Sequence, residues 1–289
     1  MANTITLKRR ISSVKNTRQI TKAMELVAAS KMRRAQESAL HGRAYREAAH
    51  ELLTKLGQII EVDQHPLYVK RAVKTRVYVV ITSNRGLAGA YNSNIIRMLS
   101  RAIIEDQRNH INSQVIAIGK QVANFARRVE GVELLAAYSG FGDHPTANDI
   151  RPILNQVVEL YTEQKADDIK LLYTTFQSNL VQTPTNLALL PAIFEAGENI
   201  DKTINSVTFE PSIEAVLDNV TVRLLEVQLW QAMLESVASE HSMRMMAMKN
   251  ATDNASDLID DLTLAFNTAR QAAITQELAE ITGGAEAIK

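Results

Sequence analysis

The sequence has 289 residues, with 32 basic and 32 acidic side chains that cancel, 46% hydrophobic residues and no cysteine. That length and composition suit a globular chain of one or two domains. Neutrality gives no reason to expect a nucleic-acid, membrane or acidic-substrate partner, and the missing thiols exclude disulfides, thiolate metal sites and cysteine nucleophiles, which fits a reducing compartment.

The first predicted element is a long basic helix. Between Met1 and Arg46, Lys8, Arg9, Arg10, Lys15, Arg18, Lys22, Lys31, Arg33, Arg34, Arg43 and Arg46 face only Glu25 and Glu37. Leu7, Ile11 and Val14 set a seam, and Ile20, Met24 and Val27 resume it after a slip in register. Only Gly42 interrupts before Gly57, so the helix can run about 75 to 80 Å. A basic, acid-poor start is also the composition of a transit peptide, but the helical pattern continues through Leu56 without a break, and Met1–Arg10 has no signal-peptide core. No apolar run reaches the length of a membrane span.

Residues 1–60 are therefore read as one helix, and 61–75, with His65-Pro66-Leu67-Tyr68, as a linker. Residues 76–210 read differently. Val77–Thr82, Gln114–Ile118, Val132–Ala137, Ile169–Thr175 and Leu187–Leu190 are short β-rich apolar runs, with helical stretches at Tyr91–Arg108, Lys120–Arg128 and Ala147–Gln164. The alternation predicts an α/β fold with a mostly parallel sheet. All six prolines lie in this middle part or at its edges, from Pro66 to Pro211, and Glu210-Pro211 marks the exit.

From 211 to 289 the pattern is helical again, with no Pro or Gly between Pro211 and Gly283. That stretch could extend about 105 Å. Its seam alternates steps of four and three: Ile213, Leu217, Val220, Leu224 and Val227; Leu234, Ala238, Met245 and Met248; then Ala255, Ile259, Leu262, Phe266, Ala269 and Ala273. Gln231, His241 and Thr252 interrupt it with polar groups. After Asn250 the charge is acidic, through Asp253, Asp257, Asp260, Asp261, Glu277, Glu280 and Glu286. The two ends are thus expected to pair as an antiparallel coiled coil. Burial of the seams supplies the stability, since exposed ion pairs contribute only about 0–1 kcal/mol each.

Signs of chemistry are weak. Ser83-Asn84-Arg85-Gly86-Leu87-Ala88-Gly89-Ala90-Tyr91-Asn92 follows the first strand, where α/β folds bind phosphate, but its glycines match neither dinucleotide nor Walker patterns. A structural turn is the simpler reading. His41, His50, His65, His110, His144 and His241 lack metal-ligand spacing. Asp167-Asp168 and Asp260-Asp261 are read as solvated charge, and no nucleophile elbow is present. Met243, Met245, Met246 and Met248 need only adaptable packing. A long basic helix joined to a coiled coil can also lie on DNA, but here the basic residues are interleaved with the apolar seam.

Three segments carry a family resemblance. Ile20-Thr21-Lys22-Ala23-Met24-Glu25-Leu26-Val27-Ala28-Ala29-Ser30-Lys31-Met32, Met246-Ala247-Met248-Lys249-Asn250-Ala251-Thr252-Asp253-Asn254 and Arg270-Gln271-Ala272-Ala273-Ile274-Thr275-Gln276-Glu277-Leu278-Ala279-Glu280-Ile281 resemble signatures of the gamma subunit of bacterial F-type ATP synthase. Gly284-Ala285, the 83–92 loop and His65-Pro66 also match. Asn84 stands where many relatives have Asp, and the cysteine-bearing insert of chloroplast members is absent.

The resemblance implies a rotor shaft, one copy per complex, standing in a ring of three alpha and three beta subunits, with a Rossmann-like module that holds no nucleotide. It implies no catalytic, cofactor or metal residue in this chain. It places Lys22 and Met24 at a beta-subunit loop and Arg244, Gln271, Thr275 and Glu277 at polar beta contacts. Val207, Thr208, Phe209 and Glu210 form the foot toward the epsilon subunit and the c-ring, and the complex sits on the cytoplasmic face of the bacterial inner membrane as a peripheral assembly.

Overall fold

A computed structural model describes residues 2–59, 65–142, 145–192 and 213–286, with side chains over 4–38, 65–142, 145–192 and 217–283. The predicted foot, Val207–Glu210, and the exit at Pro211 lie outside the described residues, as does His144, and the side chains of His41 and His50 are not among those described. The elements run α1 (Ala2–Ile59), β1 (Thr75–Ile81), α2 (Tyr91–Arg108), β2 (Asn112–Ile118), α3 (Lys120–Ala126), β3 (Val132–Tyr138), α4 (Ala147–Thr162), β4 (Asp168–Phe176), β5 (Gln182–Leu190) and α5 (Ile213–Glu286). The chain divides into two compact units: residues 1–28 with 244–289, and residues 29–243. The division falls inside α1 and α5, away from the helix ends that a reading by element type would choose.

The larger unit holds a five-stranded sheet in the order β3-β2-β1-β4-β5. The β1–β2, β2–β3 and β1–β4 pairs are parallel, and β5 returns antiparallel along β4. Parallel strands need covering on both faces, which explains their continuous apolar runs. Val77, Val79 and Ile81 point to one core with Ile153, Val157 and Tyr161 of α4 and Leu225, Leu229 and Met233 of α5. Tyr78 and Val80 point to the other, with Ile95, Leu99 and Ile103 of α2 and Val122 and Ala126 of α3. The expected strand at Leu187–Leu190 is longer than predicted, because a hairpin extends its pairing to Gln182. Pro184 lies within it, which an edge strand tolerates since one row of its backbone groups needs no partner strand.

In the smaller unit the hydroxyls of Thr21 and Thr252 meet at 2.8 Å across the helix pair. Antiparallel pairing from that point sets Val14 opposite Ile259, Ile11 opposite Leu262, Leu7 opposite Phe266 and Thr4 opposite Ala269. All eight are buried or half-buried. On α5 the covered positions run 248, 252, 255, 259, 262, 266, 269 and 273, alternating four and three without a break.

The α1 seam corrects the sequence reading. Ile20 is 60% exposed and Val27 54% exposed, whereas Thr21, Met24 and Ala28 are covered. No slip occurs after Val14; past the exposed Arg18 the covered stripe continues through Thr21 to Ala28, after which Met32 and Ala35 are buried in the larger unit. Following apolar residues alone selected the wrong face, because small and hydroxylated residues hold the seam here. The opposite charges of the two segments stay in solvent: Lys8, Arg9, Arg10, Lys15, Arg18 and Lys22 are exposed, as are Asp253, Asp257, Asp260 and Asp261.

Candidate functional site

In an open parallel sheet, ligands bind beyond the strand C-termini where the strand order reverses. Here that point lies between β1 and β4, and it is closed from inside the fold. The β1–β4 pairing ends at Val80 and Leu172. Two residues further along β4, the Thr174 amide donates to Ser236 Oγ at 3.2 Å, and Ser239 Oγ donates to the Thr174 carbonyl at 3.2 Å. Helix α5 thus takes the backbone groups that β1 leaves unpaired.

The 83–92 loop beside this point is bound into the fold by its own side chains. Asn92 Oδ1 accepts the Ser83 amide at 3.0 Å, and its Nδ2 donates to Ser83 Oγ at 2.8 Å. Asn84 uses both ends of its amide, donating to the Ser139 carbonyl at 3.0 Å and accepting the Lys120 amide at 3.2 Å. Asparagine can do both; a carboxylate could only accept. The adjoining Gly119, at φ 100°, lies where a Cβ would come within 2.1 Å of the Thr82 carbonyl oxygen. Its permissive backbone serves the close approach of Gly119 to Thr82 at the end of β1.

The opposite end of the strands, where β1, β2 and β4 begin, holds a buried ionic network. Asp106, at the end of α2 and with no exposed surface, accepts from Tyr78 Oη at 2.6 Å, Ser113 Oγ at 2.9 Å and the Arg76 guanidinium. Arg76 also donates through Nε to Asp168, and Asp167 caps the amides of Lys74 and Thr75 at 2.9 and 3.0 Å. Asp167 and Asp168 are therefore structural groups, and the reading of solvated charge fails: a pair of carboxylates before a strand faces the guanidinium and free amides of the neighbouring strand. Asp260 and Asp261 are exposed on α5, as read.

Burial, with the Asp106 bond next, pushes the Tyr78 phenol well above its ordinary 10.0, and burial likewise raises Tyr68 and Tyr161. A raised phenol holds its proton in the fold while the unfolded chain loses it. Stability contributed by these groups is full below pH 10 and falls as pH rises beyond it toward the folded values. Urea titrations at neutral pH and above pH 10 are expected to show this loss, with a shallower decline in Tyr78→Phe.

No chemistry assembles at the remaining ionisable groups. His65 Nε2 meets Asp218 at 2.6 Å, while its Nδ1 accepts the Leu67 amide at 3.3 Å. This bond joins the segment before β1 to the start of α5, as does Tyr68 Oη to Thr221 Oγ1 at 2.7 Å. Among the described residues no three His, Cys, Asp or Glu side chains gather as a metal site.

Of the residues that the resemblance selected, Lys22, Met24, Arg244, Gln271, Thr275 and Glu277 belong to the helix-paired unit, and Val207, Thr208, Phe209 and Glu210 lie outside the described residues. Lys22 is exposed and bonds both Glu25 oxygens at 3.1 Å, while Met24 is half-buried at the seam. Arg244 is half-buried on α5, about 40 Å along the helix from Gln271. Gln271 and Thr275 share a face one turn apart, with Thr275 Oγ1 donating to the Gln271 carbonyl at 2.9 Å; Glu277, two residues on, points to another side. All three are exposed.

Sequence reasoning missed the apolar residues outside the seam. Ile5, Ile20, Leu26, Val27, Leu258 and Leu264 face solvent, and past Ala273 so do Ile274, Leu278 and Ile281. Nine large exposed side chains in one unit mark a surface built to be covered. For Leu26, Leu258, Leu264, Ile274, Leu278 and Ile281 the signal was available as apolar residues off the heptad stripe, whereas Ile20 and Val27 were read as part of the seam.

The comparisons with known proteins decide the family. A family model described as ATP synthase matches residues 3–288. The ATP synthase gamma chain of Herpetosiphon aurantiacus is 45% identical over 296 residues, covering 100% of this chain and 99% of its own, and that of Heliobacterium modesticaldum is 42% identical over 288 residues, covering 98% of each. The chain belongs to the ATP synthase gamma-chain family.

Among solved structures, the chain is similar in fold to one from the Euglena gracilis mitochondrial ATP synthase, with a TM-score of 0.70, 18% identity and coverage of 99% of this chain and 95% of that one. A chain of the Tetrahymena thermophila mitochondrial ATP synthase central stalk and c-ring gives 0.64 at 24% identity, covering 80% and 99%. Membership in the gamma family replaces the nucleic-acid reading of the basic helix. No helix of the described residues is long and apolar enough to cross a membrane.

Proposed function

We propose that this chain is the central rotor shaft of an F-type ATP synthase, coupling ion-driven rotation of a membrane c-ring to the cycling of catalytic sites on other subunits. The observation that carries the reading is the set of exposed apolar side chains on the 1–28 and 244–289 unit of a gamma-family chain. A pair of unequal helices has no threefold symmetry. Inside a ring of three alpha and three beta subunits it presents a different face to each beta subunit, and turning it drives each site through a rigid-body switch in sequence.

In this reading the chain is non-catalytic and present once per complex, organised as helix 1–60, linker 61–75, Rossmann-like module 76–210 and helix 211–289. Lys22, Met24, Arg244, Gln271, Thr275 and Glu277 meet beta subunits, and Val207, Thr208, Phe209 and Glu210 meet epsilon and the c-ring. The complex lies peripherally on the cytoplasmic face of the bacterial inner membrane. The closure of the β1–β4 crevice by Ser236 and Ser239 supports a module without nucleotide. Purified chain is expected to show no ATP hydrolysis, and mixing it with alpha and beta subunits to give an active hexamer with one bound copy. Turnover by the chain alone, or a stoichiometry other than one, overturns the reading.

A further inference from the structure

We infer that the β4–β5 hairpin is a clasp that holds both long helices in fixed register on the α/β module, with Ser242 as its positioning residue. The inference rests on the rotor reading, since a shaft must pass torque between the module and its helices without slipping.

The hairpin tip is closed by its own bonds. Ser178 Oγ accepts the amides of Leu180 and Val181 at 3.3 and 3.1 Å, and the amides of Gln177 and Ser178 both donate to the Val181 carbonyl, at 3.2 and 3.1 Å. From this rigid tip, contacts reach each helix. The Asn179 carbonyl accepts Ser242 Oγ of α5 at 3.0 Å, and Asn179 Oδ1 accepts Gln36 Nε2 of α1 at 3.0 Å. Gln182 Nε2 donates to Ser242 Oγ at 3.1 Å and to the Ser178 carbonyl at 2.8 Å. Ser242 therefore both donates and accepts, with no surface exposed.

Ser242 also ends a row. Ser236 and Ser239, each wholly buried, hold the two backbone groups of Thr174 on β4. Serine has no advantage over alanine for helix formation, and a buried hydroxyl costs free energy unless bonded. What the row adds is direction. Apolar contacts are non-directional and permit one surface to slide over another, whereas hydrogen bonds fix both rotation and translation of the helix on the strand. Ser242 is the last but one residue of α5 in this unit, so the clasp closes where α5 leaves it.

The test uses this chain assembled with alpha and beta subunits. Because the sequence has no cysteine, Arg97→Cys on the exposed side of α2 provides a unique probe site. In Ser242→Ala, which removes both the bond donated to the Asn179 carbonyl and the bond accepted from Gln182, the amides of Ser178 and Val181 are expected to exchange at least about tenfold faster. The angular spread of the probe during dwells widens, while unloaded ATP hydrolysis is unchanged. Asn179→Ala, which removes only the α1 contact, widens it less, and Leu180→Ala, at an exposed tip residue outside the clasp, leaves both readouts at parent values. Should Ser242→Ala fail to assemble, Gln182→Ala at its half-buried position must give the same widening. Unchanged exchange and spread in the assembled variants overturn the clasp; a parent complex that does not rotate overturns the rotor reading instead.

Discussion

Asp106→Ala is expected to destabilise the 29–243 unit by about 3–5 kcal/mol, the usual cost of removing one partner from a buried ion pair. The carboxylate has no exposed surface and takes three donors, from Arg76, Tyr78 and Ser113. Its removal takes the acceptor from a phenol and a hydroxyl, and leaves the guanidinium with Asp168 as its one carboxylate in the network. Asp106→Asn keeps one oxygen as acceptor for Tyr78 and Ser113 but turns the oxygen that faces Arg76 into a donor, so it loses the charge and the Arg76 bond, and its cost is smaller than that of alanine. The single tryptophan, Trp230, packs on the core and donates to the Pro145 carbonyl at 3.2 Å, which makes its fluorescence a reporter for urea unfolding. A midpoint for Asp106→Ala equal to that of the parent would refute the account of the network.

Ile259→Asp is expected to cost a similar amount, about 3–5 kcal/mol, in the other unit. Ile259 is 7% exposed, in the register opposite Val14, so the substitution removes a seam side chain and puts a charge in the buried layer it occupied. The pair opens around that layer. Backbone amides of α1 near Val14 should lose exchange protection, and yield of complex with alpha and beta subunits should fall. Leu264→Asp, at a 70% exposed position midway between seam residues 262 and 266 and so on the far face of α5, is the contrast: the helix pair stays closed while assembly suffers. Equal protection in the two variants would mean that the register is wrong.

Much of this architecture was legible because its signals are local. The alternation of strand and helix, the absence of Pro and Gly after Pro211 and the four-three spacing from Ala255 to Ala273 each depend on residues a few positions apart. The failures were positions where the deciding partner is distant. Ile20 and Val27 fit a heptad as well as Thr21 and Ala28 do, and only the facing helix selects between them, by how closely its backbone approaches. Asp168 looks like surface charge until Arg76, on the neighbouring strand, is placed beside it.

The sequence by itself determined the paired ends, the inserted α/β module and, through three contiguous signatures, the family. Periodicity and local motifs encode these directly. Tertiary structure alone decided which face of α1 is covered, that the acidic pair before β4 is structural, and that the crevice at the chain reversal is filled by serines of α5. In each case free energy depends on burial and hydrogen bonding between groups far apart in the chain: Thr21 with Thr252, Arg76 with Asp168, Thr174 with Ser236 and Ser239.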